Sequence, residues 1–248
     1  MSSEKKLSTF INESKKLIKS DFGKKTRIAV IGSFTLNGLT ETLQVKCAEL
    51  NIFSFIYSAP YNQYNEEILN TNSNLYSFMP EICFLILDAR TILENLFYFP
   101  YDVSESDRKK FVENKSKELF TLINFFVEKS SSKLIVSNFV IPTHSPFGIF
   151  ESKTDFGLQE MIIDLNQKLL TEFKNNPLVF IFDFNGFITN YGQKNVFDYR
   201  QYYLGDVKVS LEKIPYLANQ LMGYVKPILG LNKKCIVLDL DNTLWGGI

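Results

Sequence analysis

Two carboxylates at alternate positions, Asp239 and Asp241, follow the apolar run Cys235 to Leu238. Side chains two apart on a strand face the same way, so this pair is expected to project together from the strand's carboxyl end. That end of an open α/β sheet is where ligands bind. Two carboxylates so close repel unless a divalent cation or a shared proton relieves the repulsion. A hard cation such as Mg²⁺, itself bridged to phosphate oxygens, meets that need. One carboxylate can then attack phosphorus while the other gives and takes the leaving-group proton. Thr243, and the backbone beyond it, can donate hydrogen bonds to phosphoryl oxygens. A strand ending in an acidic turn, with Asn242 helping the chain reverse, would place the same residues for no chemical purpose.

The elements that must position such groups alternate along the chain. The spacing of Leu7, Phe10, Ile11, Ser14, Leu17 and Ile18 predicts an amphipathic helix over the first twenty residues. Arg27 to Ile31, ended by Gly32, reads as a strand buried on both faces. Further strands are expected at Ile52 to Tyr57, Ile82 to Leu87, Lys133 to Val140, Leu178 to Phe182 and Lys234 to Leu238. Helices are expected at Thr35 to Leu50, Ser106 to Lys129, Phe156 to Phe173 and Leu211 to Leu229, the last disturbed at Pro215. Ala59 to Pro80 reads as loops around a short helix. Strands alternating with helices give a parallel sheet covered on both faces, a three-layer α/β/α domain. Pro, Gly and Asn between Lys226 and Lys233 mark a boundary, so one domain spans residues 1–229 and a second begins at 230–248.

Composition narrows the partners. The 248 residues carry 27 basic and 27 acidic side chains, so no charge excess favours nucleic acid or an anionic membrane. No apolar run approaches the ~20 residues of a membrane helix, and the polar N-terminus has no signal core. Cys47, Cys83 and Cys235 are far apart and odd in number. They read as free thiols in a reducing compartment, which places the chain in the cytoplasm.

The string Asp239-Leu240-Asp241-Asn242-Thr243-Leu244-Trp245-Gly246-Gly247 resembles the first motif of the haloacid-dehalogenase (HAD) superfamily, in the version of the FkbH-like branch, subfamily IIIC. Gly32-Ser33-Phe34-Thr35, Ala59-Pro60-Tyr61-Asn62-Gln63-Tyr64, Ser73-Asn74-Leu75-Tyr76 and Phe197 to Leu204 resemble the N-terminal region of FkbH-like proteins. The resemblance covers most of the chain from Arg27. It implies an SGNH-hydrolase-like, or flavodoxin-like, three-layer domain followed by the first strand of a HAD Rossmann-like domain. It implies Asp239 as nucleophile, Asp241 as acid/base, phosphate contacts from Thr243 and Asn242, and Mg²⁺ held by both aspartates. Well-known members of the family load a glyceryl unit from 1,3-bisphosphoglycerate onto an acyl carrier protein for polyketide or related biosynthesis; others are expected to be plain phosphatases. The family also needs a downstream Thr or Ser, a Lys and a second acidic motif. None lies within residues 1–248, so these residues alone are expected to be inactive as a phosphatase.

The SGNH likeness raises a second chemistry. Such enzymes use a Ser on the first strand-to-helix turn and an Asp-x-x-His near the end. Ser33 falls at that turn, Asn138 at the fourth strand is a candidate oxyanion donor, and Asp198 falls at the Asp position. Gln201, however, stands where the His is needed, and the one histidine, His144, lies in a loop. A Ser nucleophile needs a base within reach. The favoured expectation for Ser33, or equally Thr35, is therefore helix capping or a tight turn. Asp198 and Arg200 are expected to pair or to bind a polar ligand. Tyr57, Tyr61, Tyr64 and Tyr76, with Phe97, Tyr98, Phe99 and Tyr101, read first as a satellite core. The rival reading is a docking face for a carrier protein or glycan. The expectation is thus a first domain that binds rather than hydrolyses, with an SGNH esterase as the alternative.

Overall fold

The computed structural model describes residues 5–232. The sixth strand and the Asp239 to Thr243 motif therefore lie outside the described residues.

Five parallel strands form one sheet: β1 (Lys24–Gly32), β2 (Ile52–Ser58), β3 (Ile82–Ile86), β4 (Lys133–Ser137) and β5 (Val179–Phe182). Their spatial order is β2-β1-β3-β4-β5, so the winding direction reverses between β1 and β3. A crevice opens at such a reversal, at the carboxyl ends of the strands. The residues just past those two ends are Ser33 and Leu87-Asp88.

Alternation along the strands feeds two cores, which makes the domain three-layered. Ala29, Ile31, Cys83, Leu85, Leu134 and Val136 face one side. There they pack under α3 (Tyr64–Leu69), α4 (Asn74–Phe78), α5 (Ala89–Leu93), α6 (Glu105–Lys129) and α7 (Leu158–Phe173). Ile28, Val30, Ile82, Phe84, Ile86 and Ile135 face the other side, against α2 (Leu39–Ala48), α8 (Phe184–Tyr191) and α11 (Ile214–Ile228). α1 (Leu7–Ser14) packs outside α2. The central strands are buried on both faces, as their unbroken apolar runs require. Gly32 lets β1 close on β3, because a Cβ there would lie 2.6 Å from the Ile86 carbonyl oxygen.

The three-layer parallel domain is as the sequence led us to expect, but several boundaries differ. The first helix ends at Ser14 and gives way to a single 3-10 turn at Lys19–Asp21, leaving Ile18 exposed. The second helix begins at Leu39, not Thr35. The Thr35 N–H is drawn instead to the Asp206 carbonyl at 2.9 Å, and Gly38 turns into the helix at φ +82°. Pro215 does not disturb the last helix. It sits in the first turn, where its missing N–H costs nothing. The stretch after β5 holds α8, α9 (Gln193–Val196) and α10 (Tyr199–Gly205), none of which was expected from the sequence. α9 and α10 are too short to show a period, whereas α8 carries Phe184, Phe187, Ile188 and Tyr191 at helical spacing, a signal that was there to be read; α8 and α10 are started by caps. The Asp183 carboxylate accepts from the Gly186 N–H and the Asp198 carboxylate from the Gln201 N–H. No described helix is long and apolar enough to cross a membrane.

Candidate functional site at the sheet's carboxyl end

Ser33 leaves β1 at the crevice and is 3% exposed. It does not cap α2, whose N-cap is Gly38 with no side-chain bond, and Thr35 does not cap it either. Instead the Ser33 Oγ accepts the Asp88 N–H at 2.8 Å, while the Ser33 N–H donates to the Ile86 carbonyl. Next door, Ser137 Oγ at the end of β4 accepts the Leu87 N–H at 3.1 Å. Two serines thus satisfy consecutive N–H groups where β3 ends and the ladder no longer can, which fixes the direction in which Asp88 enters the crevice.

Asp88 is 1% exposed and anchors a group of charges that sequence reading did not assemble. Lys208 Nζ donates to its Oδ1 at 2.6 Å, Tyr202 OH donates to its Oδ2 at 2.5 Å, and the Arg90 N–H reaches Oδ1 at 3.3 Å. Burial opposes ionisation of Asp88, but the Lys208 charge and the bonds from Lys208, Tyr202 and the Arg90 N–H outweigh it. Its carboxyl is held below the usual range. Tyr202 is pushed well above the ordinary phenol value by burial and then by the Asp88 charge, so it remains a donor. Lys208 is 3% exposed, with the rings of Phe34, Phe184, Phe197 and Tyr202 around its ammonium at 5.1–5.9 Å. Ring faces attract a desolvated cation, so they add to the carboxylate.

A second tier extends the group. The Arg90 guanidinium stacks over Tyr202, 4.3 Å from the ring centroid, and pairs with Asp206. Asp206 also accepts from the Tyr61 hydroxyl. Charges from the β3 end and from the loop after α10 therefore cross the crevice and balance, two negative against two positive.

The other predicted residues fall nearby, in different roles. The Asn138 side chain bridges strand ends: its Nδ2 donates to Asp183 at 2.7 Å and its Oδ1 accepts the Asn185 N–H at 2.8 Å. That use of both ends fits a brace between β4 and β5 rather than an oxyanion donor. Asp198 is exposed and caps α10. His144 is exposed, but its loop does lie over the crevice. The loop is tied down by Ile141 N–H to Asn185 and by Thr143 to Gln193. His144 lines one small cavity together with Asp88, Lys208, Phe197, Tyr199 and Tyr203. The aromatic residues divide. Tyr64 is buried, and Tyr57, Tyr76 and Phe97 pack on the core. Tyr61, Tyr98, Phe99 and Tyr101 are exposed. Among the described residues no group of His, Cys, Asp and Glu could hold a metal ion.

Asp88 and Lys208 were the residues sequence reading missed. The available signal was an acidic residue ending an apolar strand, the same signal that singled out Asp239. Lys208 carried none, because only the fold brings a lysine 120 positions away onto that carboxylate.

The arrangement can be set beside known proteins. The N-terminal part of BF1531 from Bacteroides fragilis, described as containing a phosphatase domain complexed with Mg, superposes with a TM-score of 0.81 at 22% identity. The match covers 99% of this chain and 62% of that one, so this chain spans less than two thirds of that structure. The lipase Lip_vut3 from a goat rumen metagenome matches with a TM-score of 0.55 at 11% identity, over 80% of this chain and 96% of its own. An acetyl-xylooligosaccharide esterase from Geobacillus gives 0.50 at 11%, over 89% and 100%. At such identities these likenesses establish the fold, an SGNH-hydrolase-like three-layer domain. No curated protein matches the chain. A family model described as FkbH, N-terminal domain, matches residues 27–226, which takes in β2 to β5, most of β1 and nearly all of the covering helices. The chain therefore belongs to the FkbH N-terminal domain family.

Proposed function

We propose that this chain is the N-terminal portion of an FkbH-like, Mg²⁺-dependent phosphoryl-transfer enzyme, acting in the cytoplasm on a phosphorylated three-carbon acid. Family membership over residues 27–226, followed directly by the Asp239-x-Asp241-x-Thr243 string, is the observation that carries the reading. The phosphatase domain and Mg named for the Bacteroides fragilis structure support it. In this reading Asp239 is the nucleophile on phosphorus and Asp241 moves the leaving-group proton. Thr243 and Asn242 donate to the phosphoryl oxygens. The two aspartates would hold Mg²⁺, a hard cation suited to carboxylate oxygens, which when bound neutralises charge on the phosphoryl group. The substrate we assign is 1,3-bisphosphoglycerate, with the glyceryl unit passing to the thiol of an acyl carrier protein.

The first domain, in this reading, supports recognition and not hydrolysis. Asp88, two positions beyond the crevice end of β3, is saturated by Lys208, Tyr202 and the Arg90 N–H. Ser33 spends its Oγ as an acceptor for the Asp88 N–H. The test is acylation of a purified carrier protein by the full-length protein, read by intact mass. Transfer should require Mg²⁺ and vanish in Asp239→Asn. Phosphate release without transfer would keep the phosphoryl chemistry and remove the carrier protein. Activity persisting in Asp239→Asn would refute the nucleophile. An esterase reading survives on one observation, that His144 lines the same cavity as Asp88. Hydrolysis of a chromogenic acetyl ester that is lost in both Ser33→Ala and His144→Ala would establish it.

A further inference from the structure

Three connections leave strand ends at the carboxyl end of the sheet, and each carries large apolar side chains into solvent. Phe99 and Tyr101 lie between β3 and α6, Ile149 and Phe150 between β4 and α7, and Tyr203 and Leu204 beyond β5 in α10. All six are more than half exposed, Ile149 at 86%. They belong to one surface. The Phe99 ring lies 6.2 Å from Tyr101, Tyr101 lies 6.4 Å from Phe147, and the Phe150 N–H donates to the Phe147 carbonyl. Toward α10, Phe97 and Tyr203 wall the same cavity, and Tyr98 lies between Phe97 and Phe99 at 5.3 and 6.3 Å.

A large aromatic side chain offers about 150–250 Å², so six large side chains exposed to this degree present on the order of 800 Å². The largest apolar patch on a typical monomer is about 300–600 Å², whereas one partner in a standard-size complex contributes ~800 Å². Such a face calls for a protein partner. Two observations choose which. Segments 97–102, 147–150 and 199–204 carry one acid, Asp102, and one base, Arg200; both are exposed, and neither has an ionic partner among the described residues. A face without net charge draws neither an acidic nor a basic protein, but its own acid and base can satisfy each other across a two-fold axis. The remainder of this chain, for its part, starts from the far end. Lys24 Nζ, at the start of β1, donates to the Leu229 carbonyl at 2.7 Å, so the chain after α11 departs at the amino end of the sheet. The nine residues of β1 put about 30 Å between that exit and the patch, at ~3.3 Å per residue.

We propose that this aromatic face is the interface of a homodimer, in which two copies of the chain meet carboxyl end to carboxyl end about a two-fold axis. In such an interface residue i meets residue j and j meets i, so the axis passes between the two ends of the patch. Arg200 stands at one end, beside the stacked Tyr199 and Tyr203 rings, and Asp102 stands toward the other, beside Tyr101. Arg200 then faces the partner's Asp102, and the pair occurs twice. The six exposed side chains are buried between the copies. The dimer uses no residue after Asn232 and stands apart from the phosphoryl-transfer reading.

The experiment is sedimentation velocity of the 248-residue chain across a concentration series. The chain should be dimeric at about 100 µM, since interfaces of this size range from micromolar to picomolar affinity. Ile149→Lys and Leu204→Lys alter exposed side chains toward opposite ends of the patch. Each should weaken the dimer at least about tenfold, with an unchanged far-ultraviolet circular dichroism spectrum. Ile18→Lys, also at an exposed position but ahead of β1, should leave the dimer intact. Asp102→Lys and Arg200→Glu should each weaken association, and the two together should recover it. A monomer at that concentration would overturn the proposal. So would a dimer that Ile149→Lys and Leu204→Lys leave unchanged, because the contact would then lie on another face. A full-length protein that stays monomeric while the 248-residue chain dimerises would overturn it too, and would give the patch to the rest of the chain. A double charge exchange no better than either single one would overturn the two-fold register.

Discussion

Replacing Lys208 by Met should remove a charge and leave its partner stranded. Met matches the aliphatic stem, so packing against Phe34, Phe184 and Phe197 is largely kept and the loss is electrostatic. Asp88 would then sit 1% exposed with the Tyr202 hydroxyl and the Arg90 N–H as hydrogen-bond donors. Breaking a buried pair by deleting one member costs about 3–5 kcal/mol. The Arg90 guanidinium lies 4.0 Å from Asp88 but is engaged by Asp206, so it offers partial relief and favours the lower end. At about 2–4 °C per kcal/mol for a chain of this size, the melting temperature should fall by roughly 6–20 °C at pH 7.

The pH dependence carries the sharper test. In the wild type the folded carboxyl is held below its unfolded value of about 3.9. Its contribution is therefore complete above that value and is lost as pH falls through the lower folded one. Without Lys208, burial dominates and the folded value should rise above the unfolded one. The variant then loses stability as pH climbs through that interval, and its deficit narrows on acidification toward pH ~4. Denaturant unfolding of both proteins between neutral and mildly acid pH measures the gap. The double variant Asp88→Leu with Lys208→Met should recover part of it, because no unpaired charge remains. A deficit under about 1 kcal/mol, the range of an exposed pair, would refute the reasoning, as would one that does not change with pH.

Two other substitutions examine the frame that holds the crevice. Gly32→Ala pushes a methyl to 2.6 Å from the Ile86 carbonyl oxygen, a backbone atom that cannot swing away. It should cost about 1–3 kcal/mol in chemical unfolding and shift the Ser33 and Asp88 amide signals; an unperturbed spectrum would argue against the close β1–β3 approach. Arg108, 5% exposed, donates to the carbonyls of Pro100, Val103, Asp155 and Phe156 and so staples two loops to α6. Arg108→Met should strand these acceptors, cost more than about 2 kcal/mol, and make both loops sites of limited proteolysis, while Arg108→Lys should rescue only partly.

The layered parallel sheet was legible in the sequence because a strand buried on both faces must be apolar throughout. Arg27 to Ile31 and Ile82 to Leu87 show that without any knowledge of partners. The long helices α6 and α7 were legible for the matching reason, a stripe at helical spacing. The resemblance of Gly32-Ser33-Phe34-Thr35 and of the Asp239 string also located the family from local residues alone. Tertiary structure was needed for whatever depends on pairs far apart in the chain. That Ser33 holds the Asp88 N–H rather than capping α2 follows from Thr35 being drawn to Asp206. That Asp88 meets Lys208 follows from the loop after α10 folding back over the strand ends. A side chain's type is written in the sequence, but whether its charge is matched depends on what burial brings opposite to it. Coulombic and hydrogen-bonding partners act over a few ångströms of space, whatever the number of residues between them.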